Sequence, residues 1–399
     1  MTPPRPYLDT LAAAAAAPTL SDAALAALVA PLADAAELTA TPQDPLYHAE
    51  GDVWIHTRMA VAALRGGPAW RELDPLGRIV TLAAVLSHDL GKRSTTRLEA
   101  DGRWSSRGHS ARGEIDLRVT LWRLGVPWTV REHICQLVRW HQVPLFGVDR
   151  PDAVALAIRL STVLRHDWLT AVATADAAGR RCARADDQAR LLDQCALWRL
   201  HCDELGVGSA PYRFPDDYTR ARWLAETEPR RPPELPYHDD SVGDAVVVAG
   251  LPCSGKSTYL ASRPELAQVS LDDLRAELEV DPADGQRAVI GLARDRARAA
   301  LRAGQPFAWN ATNLSRSVRG EIITLCRAYR FRVHLVYCEA GADELAARNR
   351  ARPEATRVPA RALERMYTRW TVPTPDEAHR VLYRVSPADD GGAAWPPAP

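Results

Sequence analysis

The sequence predicts two domains: an all-α helical bundle with a small hairpin, then an α/β domain with a parallel sheet and a helical lid. Three observations predict it. Between residues 21 and 225, apolar residues recur at spacings of three and four, the helical period. The segment ETEPRRPPELPYHDDS, Glu226 to Ser241, is rich in proline and charge and reads as a linker. Beyond it, short apolar β-branched runs alternate with helical stretches, the pattern of a parallel sheet. The expected divisions are therefore 1–225, a linker at 226–243, 244–385, and a disordered tail, SPADDGGAAWPPAP, at 386–399.

In the first domain the helix-spaced runs are TLAAVLSHDLG, GEIDLRVTLWRLG, REHICQLVRWH, VALAIRLSTVLRHDW and QARLLDQCALWRLHCDEL. Glycine or proline follows several of them, as helix stops do. TRLEADGRWSSRGH holds an Asp-Gly turn between two candidate strands, which predicts the hairpin. In the second domain AVVVAG reads as a buried parallel strand. AQVSL, PFAWN and FRVHLVYC are further strands, and GQRAVIGLARDRARAALRAG is a helix among them.

The formal net charge of the 399 residues is zero, so no overall field draws the chain to nucleic acid or membrane. Any nucleic-acid contact must be a local groove. The seven cysteines contain no CxxC pair and read as reduced thiols of a cytoplasmic protein. LAAAAAAPTL is apolar but short, and the residues before it make a poor signal peptide. No run approaches the length of a membrane span.

Of 50 basic residues only Lys92 and Lys256 are lysine, and both lie inside chemical motifs. An ammonium is a compact point charge that fits between phosphate oxygens or beside a metal, where a planar guanidinium does not. Around the second, GLPCSGKS fits GxxxxGK[ST], follows a strand and opens the helical STYLAS. Gly250, Cys253, Ser254, Gly255, Lys256, Ser257 and Thr258 are the expected ligands of ATP. Lys256 reaches the β and γ oxygens and Ser257 faces Mg²⁺. VSLDDLR then places Asp272, Asp273 and Arg275 at the end of the next strand. A carboxylate there can take the proton of an acceptor hydroxyl, and Arg275 can hold an acceptor phosphate. The same acids also suit an ordinary helix N-terminus. In RNRARPEATRVPARALERMYTRW, Arg348, Arg350 and Arg352 sit where a lid would cover the γ-phosphate. Arg361, Arg365 and Arg369 read as a solvated helix face.

On GxxxxGKS, DDLR, TNL and the RNRAR…VP…L..MY stretch, residues 244–385 resemble the phage-type 5′-hydroxyl polynucleotide kinases. The resemblance implies that Asp272 is the general base and Arg275 the acceptor-phosphate ligand. One departure stands out: that family has Asp before TN, where this chain has Ala311. Support for Arg275 then falls to Asn310 or Asn313.

Six of the eleven histidines lie between residues 48 and 141. The order His56, His88–Asp89, His109, His141, Asp176 resembles the HD-domain metal-dependent phosphohydrolases over roughly residues 45–185. Neutral imidazole and carboxylate suit first-row divalent metals. The resemblance implies one ion at His56, His88, Asp89 and Asp176, with Asp89 bridging to a second held by His109 and His141. Two ions would activate water and clamp a phosphate ester. Lys92, three residues after Asp89 on the same helix face, would touch a phosphate oxygen. His48, Glu50 and Asp52 are either outer-sphere partners of the metal or substrate contacts. His133, His166 and His201 read as structural, and Trp54, Trp104 and Trp140 as core.

Together the halves resemble the HD-domain polynucleotide kinases, bifunctional enzymes of nucleic-acid end healing. That implies removal of a 2′(3′)-phosphate or 2′,3′-cyclic phosphate by the first domain and phosphorylation of 5′-hydroxyl ends by the second, on RNA or DNA. No DxDxT phosphatase motif is present. Both lysines are already used, so sealing falls to a separate ligase. The alternatives are a nucleotide phosphohydrolase fused to a small-molecule kinase, or to an ATP-dependent binding switch.

Overall fold

The computed structural model describes residues 6–226, 231–280, 286–386 and 395–397. The chain forms two compact units, Met1–Tyr212 with Asp390–Pro399, and Arg213–Asp389. The division thus falls earlier than the expected 225. Helix Asp217–Ala225 belongs to the second unit, and part of the expected linker is pinned to it. Tyr237 N donates to Thr219 Oγ1 at 3.0 Å, Tyr218 OH to Asp240 at 2.6 Å, and Trp223 Nε1 to Arg231 O at 2.8 Å. Residues 227–230 of that linker lie outside the described residues, as do 387–394 and 398–399 of the tail.

In the first unit, helices Val53–Gly66, Pro75–Ser87, His109–Arg123, Trp128–Trp140 and His166–Ala178 pack on one another around a core of Leu, Val and Ala. Asp52 caps the first of these by accepting from Ile55 N at 2.8 Å, and Asp74 caps the second through Gly77 N at 2.6 Å. The run 154–168, read as one helix, is two. Helix Ala153–Ser161 stops where the Ser161 and Thr162 hydroxyls donate back to Ile158 O and Arg159 O, and the chain restarts at His166. Local hydroxyl bonds of this kind compete with helix propagation. The helix carrying TLAAVLSHDLG ends at Ser87, so His88–Gly91 form a turn and Lys92 opens a new short helix. A Cβ on Gly91 would lie 2.1 Å from His109 O, so only glycine lets this turn approach the helix that begins at His109. The hairpin is present: strands β1, Arg97–Leu98, and β2, Trp104–Ser105, pair antiparallel across Asp101-Gly102. Trp54, Trp104 and Trp140 are half-buried and not core.

The second unit holds strands β3, Gly243–Ala249, β4, Ala267–Ser270, β5, Phe307–Asn310, β6, Phe331–Ala340, and β7, Arg380–Ser386, in the order β4-β5-β3-β6-β7 and all parallel. Central β3 is buried over Val247–Ala249, as its unbroken apolar run requires. Edge strand β7 was not foreseen; RVLYRVS interleaves Arg and Tyr with its apolar residues and is only partly buried. Among the described residues no helix is long and apolar enough to cross a membrane.

Candidate active sites

The phosphate loop leaves β3 at Ala249 and ends at helix Lys256–Ala261. Gly250 (φ 144°) and Gly255 (φ 102°) adopt conformations closed to most side chains. A Cβ on Gly250 would also lie 2.1 Å from Cys338 O. Cys253 takes a positive φ of 65° without being glycine. The loop is braced from behind: Gly250 N donates to Thr312 O at 2.9 Å, and Asn313 Nδ2 to Val248 O at 2.6 Å. Buried Arg319 carries the brace outward through Asn313 O at 3.1 Å and a double contact with Glu377 at 2.7 and 2.8 Å. Sequence reading missed Arg319, since an arginine on a helix reads as surface. Lys256 Nζ rests on Gly250 O (3.0 Å) and Leu251 O (2.7 Å). Burial pushes its pKa down to about 8, against the nearby charge of Asp272. Ser257 and Thr258 are exposed at the helix start.

Helix Leu271–Glu277 is capped by the Ser270 side chain, which accepts from Asp273 N at 3.3 Å. Asp272 is therefore not spent on capping, and its side chain is 90% exposed. It pairs with Arg275, whose other nitrogen donates to Gln286 Oε1 at 3.0 Å. The support expected from Asn310 or Asn313 thus comes from Gln286 and Asp272, because Asn313 is turned inward to β3. From helix Ala342–Arg350 and the residues after it, Arg348 donates to Cys253 O at 3.1 Å and Arg352 Nη1 lies 3.7 Å from Cys253 Sγ. Arg350 is exposed. Asn349 ties the end of that helix to Val358, accepting from its N (3.0 Å) and donating to its O (2.9 Å).

In the first unit, two trios of potential metal ligands lie side by side: His56, His88 and Asp176, and Asp89, His109 and His141, all buried. His56 Nε2 is 3.2 Å from His88 Nε2 and 3.1 Å from Asp176 Oδ1. His109 Nε2 is 3.4 Å from His141 Nε2 and 3.3 Å from Asp89 Oδ1. Asp89 Oδ2 turns to the first trio, 3.3 Å from His88 Nε2 and 3.8 Å from His56 Nε2. One carboxylate thus offers an oxygen to each trio, as a bridge does.

The proton positions test the fit. His88, His109 and His141 point Nδ1 at Val85 O (2.7 Å), Ser106 O (2.9 Å) and Val138 O (2.8 Å), while His56 has a carboxylate on each side, Glu50 Oε1 at 3.0 Å from Nδ1 and Asp176 Oδ1 at 3.1 Å from Nε2. An acceptor facing Nδ1 puts the proton there and leaves the Nε2 lone pair aimed inward. The Nε2 lone pairs of His109 and His141 then face each other at 3.4 Å, an arrangement that a cation between them relieves. Two nitrogens bound at about 2.0–2.1 Å stand roughly 3.0–3.4 Å apart. Burial holds His141 neutral, with its pKa down at about 3, and likewise lowers that of His109. Burial opposes ionisation of Asp89, yet its polar neighbours, with the Lys92 ammonium 2.8 Å away, hold its carboxyl well below the usual range. The donor set fits two divalent ions. His166 is different: both its nitrogens are engaged, by Ala157 O at 2.9 Å and Trp198 Nε1 at 3.3 Å.

Lys92 Nζ lies 2.8 Å from Asp89 Oδ2 and donates to Gln43 Oε1 at 2.7 Å, so it touches a candidate ligand directly. Arg180 does the same to Asp176, at 2.9 and 2.6 Å. Sequence reading missed Gln43 and Arg180; one lies in a loop, and the other is one more arginine in an arginine-rich chain.

Compared with known proteins, residues 246–373 match the family model described as an AAA domain. A solved structure of a presumed kinase from Chloroflexus aurantiacus J-10-fl aligns at 20% identity over 37% of this chain and 87% of that one, with a TM-score of 0.32. A likeness of that size carries no step of the argument. No curated protein matches the chain. Loop geometry, sheet order and the family match agree on the second unit as a P-loop nucleotide-binding fold.

Proposed function

We propose that the chain edits both phosphate ends of broken nucleic acid. The second unit transfers the ATP γ-phosphoryl group to a 5′-hydroxyl, and the first, an HD-type phosphohydrolase, removes a 2′(3′)-phosphate or 2′,3′-cyclic phosphate. The observation that carries the reading is the acceptor pair. Asp272 and Arg275 stand side by side with Asp272 90% exposed, where a small-molecule kinase would enclose its acceptor. An open carboxylate–guanidinium pair suits the end of a polymer: Asp272 takes the hydroxyl proton and Arg275 holds the adjoining phosphate. Lys256, Arg348 and Arg352 balance charge on the phosphates. In the first unit, bound divalent ions would supply an activated water and Lewis acidity. His56, His88 and Asp176 would hold one ion and His109 and His141 the other, each with one oxygen of Asp89.

The test uses γ-labelled ATP with a 5′-hydroxyl oligonucleotide, and unlabelled 3′-phosphate and 2′,3′-cyclic phosphate oligonucleotides with added Mn²⁺ or Co²⁺. Label transfer and end-phosphate removal are expected. ATP turnover with no transfer to any oligonucleotide would leave the switch reading. Transfer to free nucleosides in preference to ends would favour the small-molecule reading.

A further inference from the structure

We infer that Arg319 is a positioning residue of the nucleotide site. It holds the turn at residues 312–314 that fixes the first glycine of the phosphate loop. To that turn it ties the chain returning from the stretch that carries Arg348 and Arg352. The inference rests on reading the loop as a nucleotide site. Arg319 is fully buried, and five acceptors meet its guanidinium. Nε donates to Glu377 Oε2 at 2.7 Å, and Nη2 to Glu377 Oε1 at 2.8 Å. Nη1 donates to Asn313 O at 3.1 Å and to Thr371 O at 3.0 Å. Nη2 also donates to Thr371 Oγ1 at 3.2 Å. A guanidinium then has no further N–H to give. Thr371 in turn donates its backbone N–H (2.9 Å) and its hydroxyl (3.2 Å) to Leu314 O.

Three successive carbonyls of the turn are thereby committed: Thr312 O to Gly250 N, Asn313 O to Arg319, and Leu314 O to Thr371. Asn313 itself lies in the left-handed region, at φ 47°, which residues other than glycine seldom adopt. From there its side chain reaches Val248 O on β3, the strand that feeds the loop. Thr371 follows helix Ala360–Tyr367, and the chain between β6 and Thr371 carries Arg348 and Arg352, which meet the loop at Cys253. Arg319 therefore links the two supports of the loop, the turn at Gly250 and the arginine-bearing stretch at Cys253. An ordinary core ion pair would need only the two Glu377 oxygens. The other three bonds go to the segments that border the loop, so the effect of Arg319 passes through Asn313 and Thr371.

The experiment uses the full chain as wild type, Arg319→Lys, and Arg319→Met combined with Glu377→Gln. The double variant leaves no buried carboxylate without its partner, which is what makes single loss of a buried ion pair so damaging to a fold. Calorimetry measures binding of ATP and of ADP with Mg²⁺, and amide hydrogen exchange is followed without nucleotide. Both variants should bind ATP about 10- to 100-fold more weakly, because the loop is preformed in a smaller fraction of molecules. Arg319→Lys should fall between wild type and the double variant, since an ammonium has too few donors for these acceptors. Exchange should quicken over residues 250–256 and 312–314 while residues 331–337 of β6 keep the wild-type rate. Wild-type affinity in either variant would overturn the inference. So would exchange that rises equally along β6, which would make Arg319 a support of the whole sheet. A wild type that binds neither nucleotide would remove the nucleotide site itself, and the inference with it; that failure is told apart because it precedes any substitution.

Discussion

Lys256 rests its ammonium on two carbonyl oxygens, with burial holding its pKa at about 8. A polyphosphate in the loop favours the charged form, so bound ATP should return the pKa toward the ordinary lysine value. The free protein gives up this proton as pH rises through about 8 while the complex keeps it. Binding therefore takes up a proton above that pH, and affinity should fall by up to about tenfold per unit. Calorimetry of ATP binding in two buffers of different ionisation heat checks both sign and extent; pH-independent affinity from 7 to 9.5 would contradict it. Asp272 is so exposed that its pair with Arg275 adds little to stability. Asp272→Asn should keep the melting temperature and lower phosphoryl transfer about 10²- to 10⁴-fold. Lys92 departs from the sequence expectation of a phosphate contact alone. Its ammonium competes with any cation for Asp89 Oδ2. Lys92→Met should therefore tighten Co²⁺ binding while phosphate release is lost, and weakened Co²⁺ binding would show that the lysine instead props up the centre.

At the scale of elements, the segment expected to form the lid is held by one amide. Asn349 satisfies both backbone groups of Val358, folding the chain after helix Ala342–Arg350 back so that Arg348 and Arg352 meet the phosphate loop. Asn349→Ala leaves those two groups without their partner, a loss of roughly 1–3 kcal/mol. Faster amide exchange over residues 350–358 and a raised KM for ATP should follow together. Asn349 escaped sequence reading because it sits between two arginines that carried the argument. What was legible follows a pattern of physics: loop glycines, helix-spaced histidines and buried strand runs are local signals. The gathering of His56, His88, Asp89, His109, His141 and Asp176 in one place was foreseen from their order along the chain. Illegible were contacts between segments far apart in sequence, such as Glu50 to Arg181, Gln43 to Lys92 and Arg319 to Glu377. The break at Ser161–Thr162 was hidden because apolar period three and four continues through it, while two hydroxyls decide the stop.

For the whole molecule, the two proposed phosphate chemistries, one in each compact unit, should be separable by single substitutions. Lys256→Ala should abolish 5′-transfer and spare end-phosphate release, and Asp89→Ala should do the reverse with loss of bound metal. Assays of both activities on each variant check this. Of the stretch expected to be a tail, residues 395–397 are described and belong to the first unit. Trp395 is 3% exposed, stands edge-on to Trp128 at 5.1 Å and donates Nε1–H to Val163 O at 2.9 Å. Trp128 opens the helix whose far end is capped by His141, so Trp395 packs on an element that carries a candidate metal ligand. Trp395→Ala should destabilise the first unit by up to about 3 kcal/mol, the ceiling being set by how firmly so short a segment docks. Trp395→Phe keeps most of the ring contact and forgoes the hydrogen bond, so it should cost about 1 kcal/mol. Hydrogen exchange should rise over residues 128–141 and 158–164 in the alanine variant, with 5′-transfer unchanged. Unaltered exchange in both segments would mean that Trp395 does not hold them.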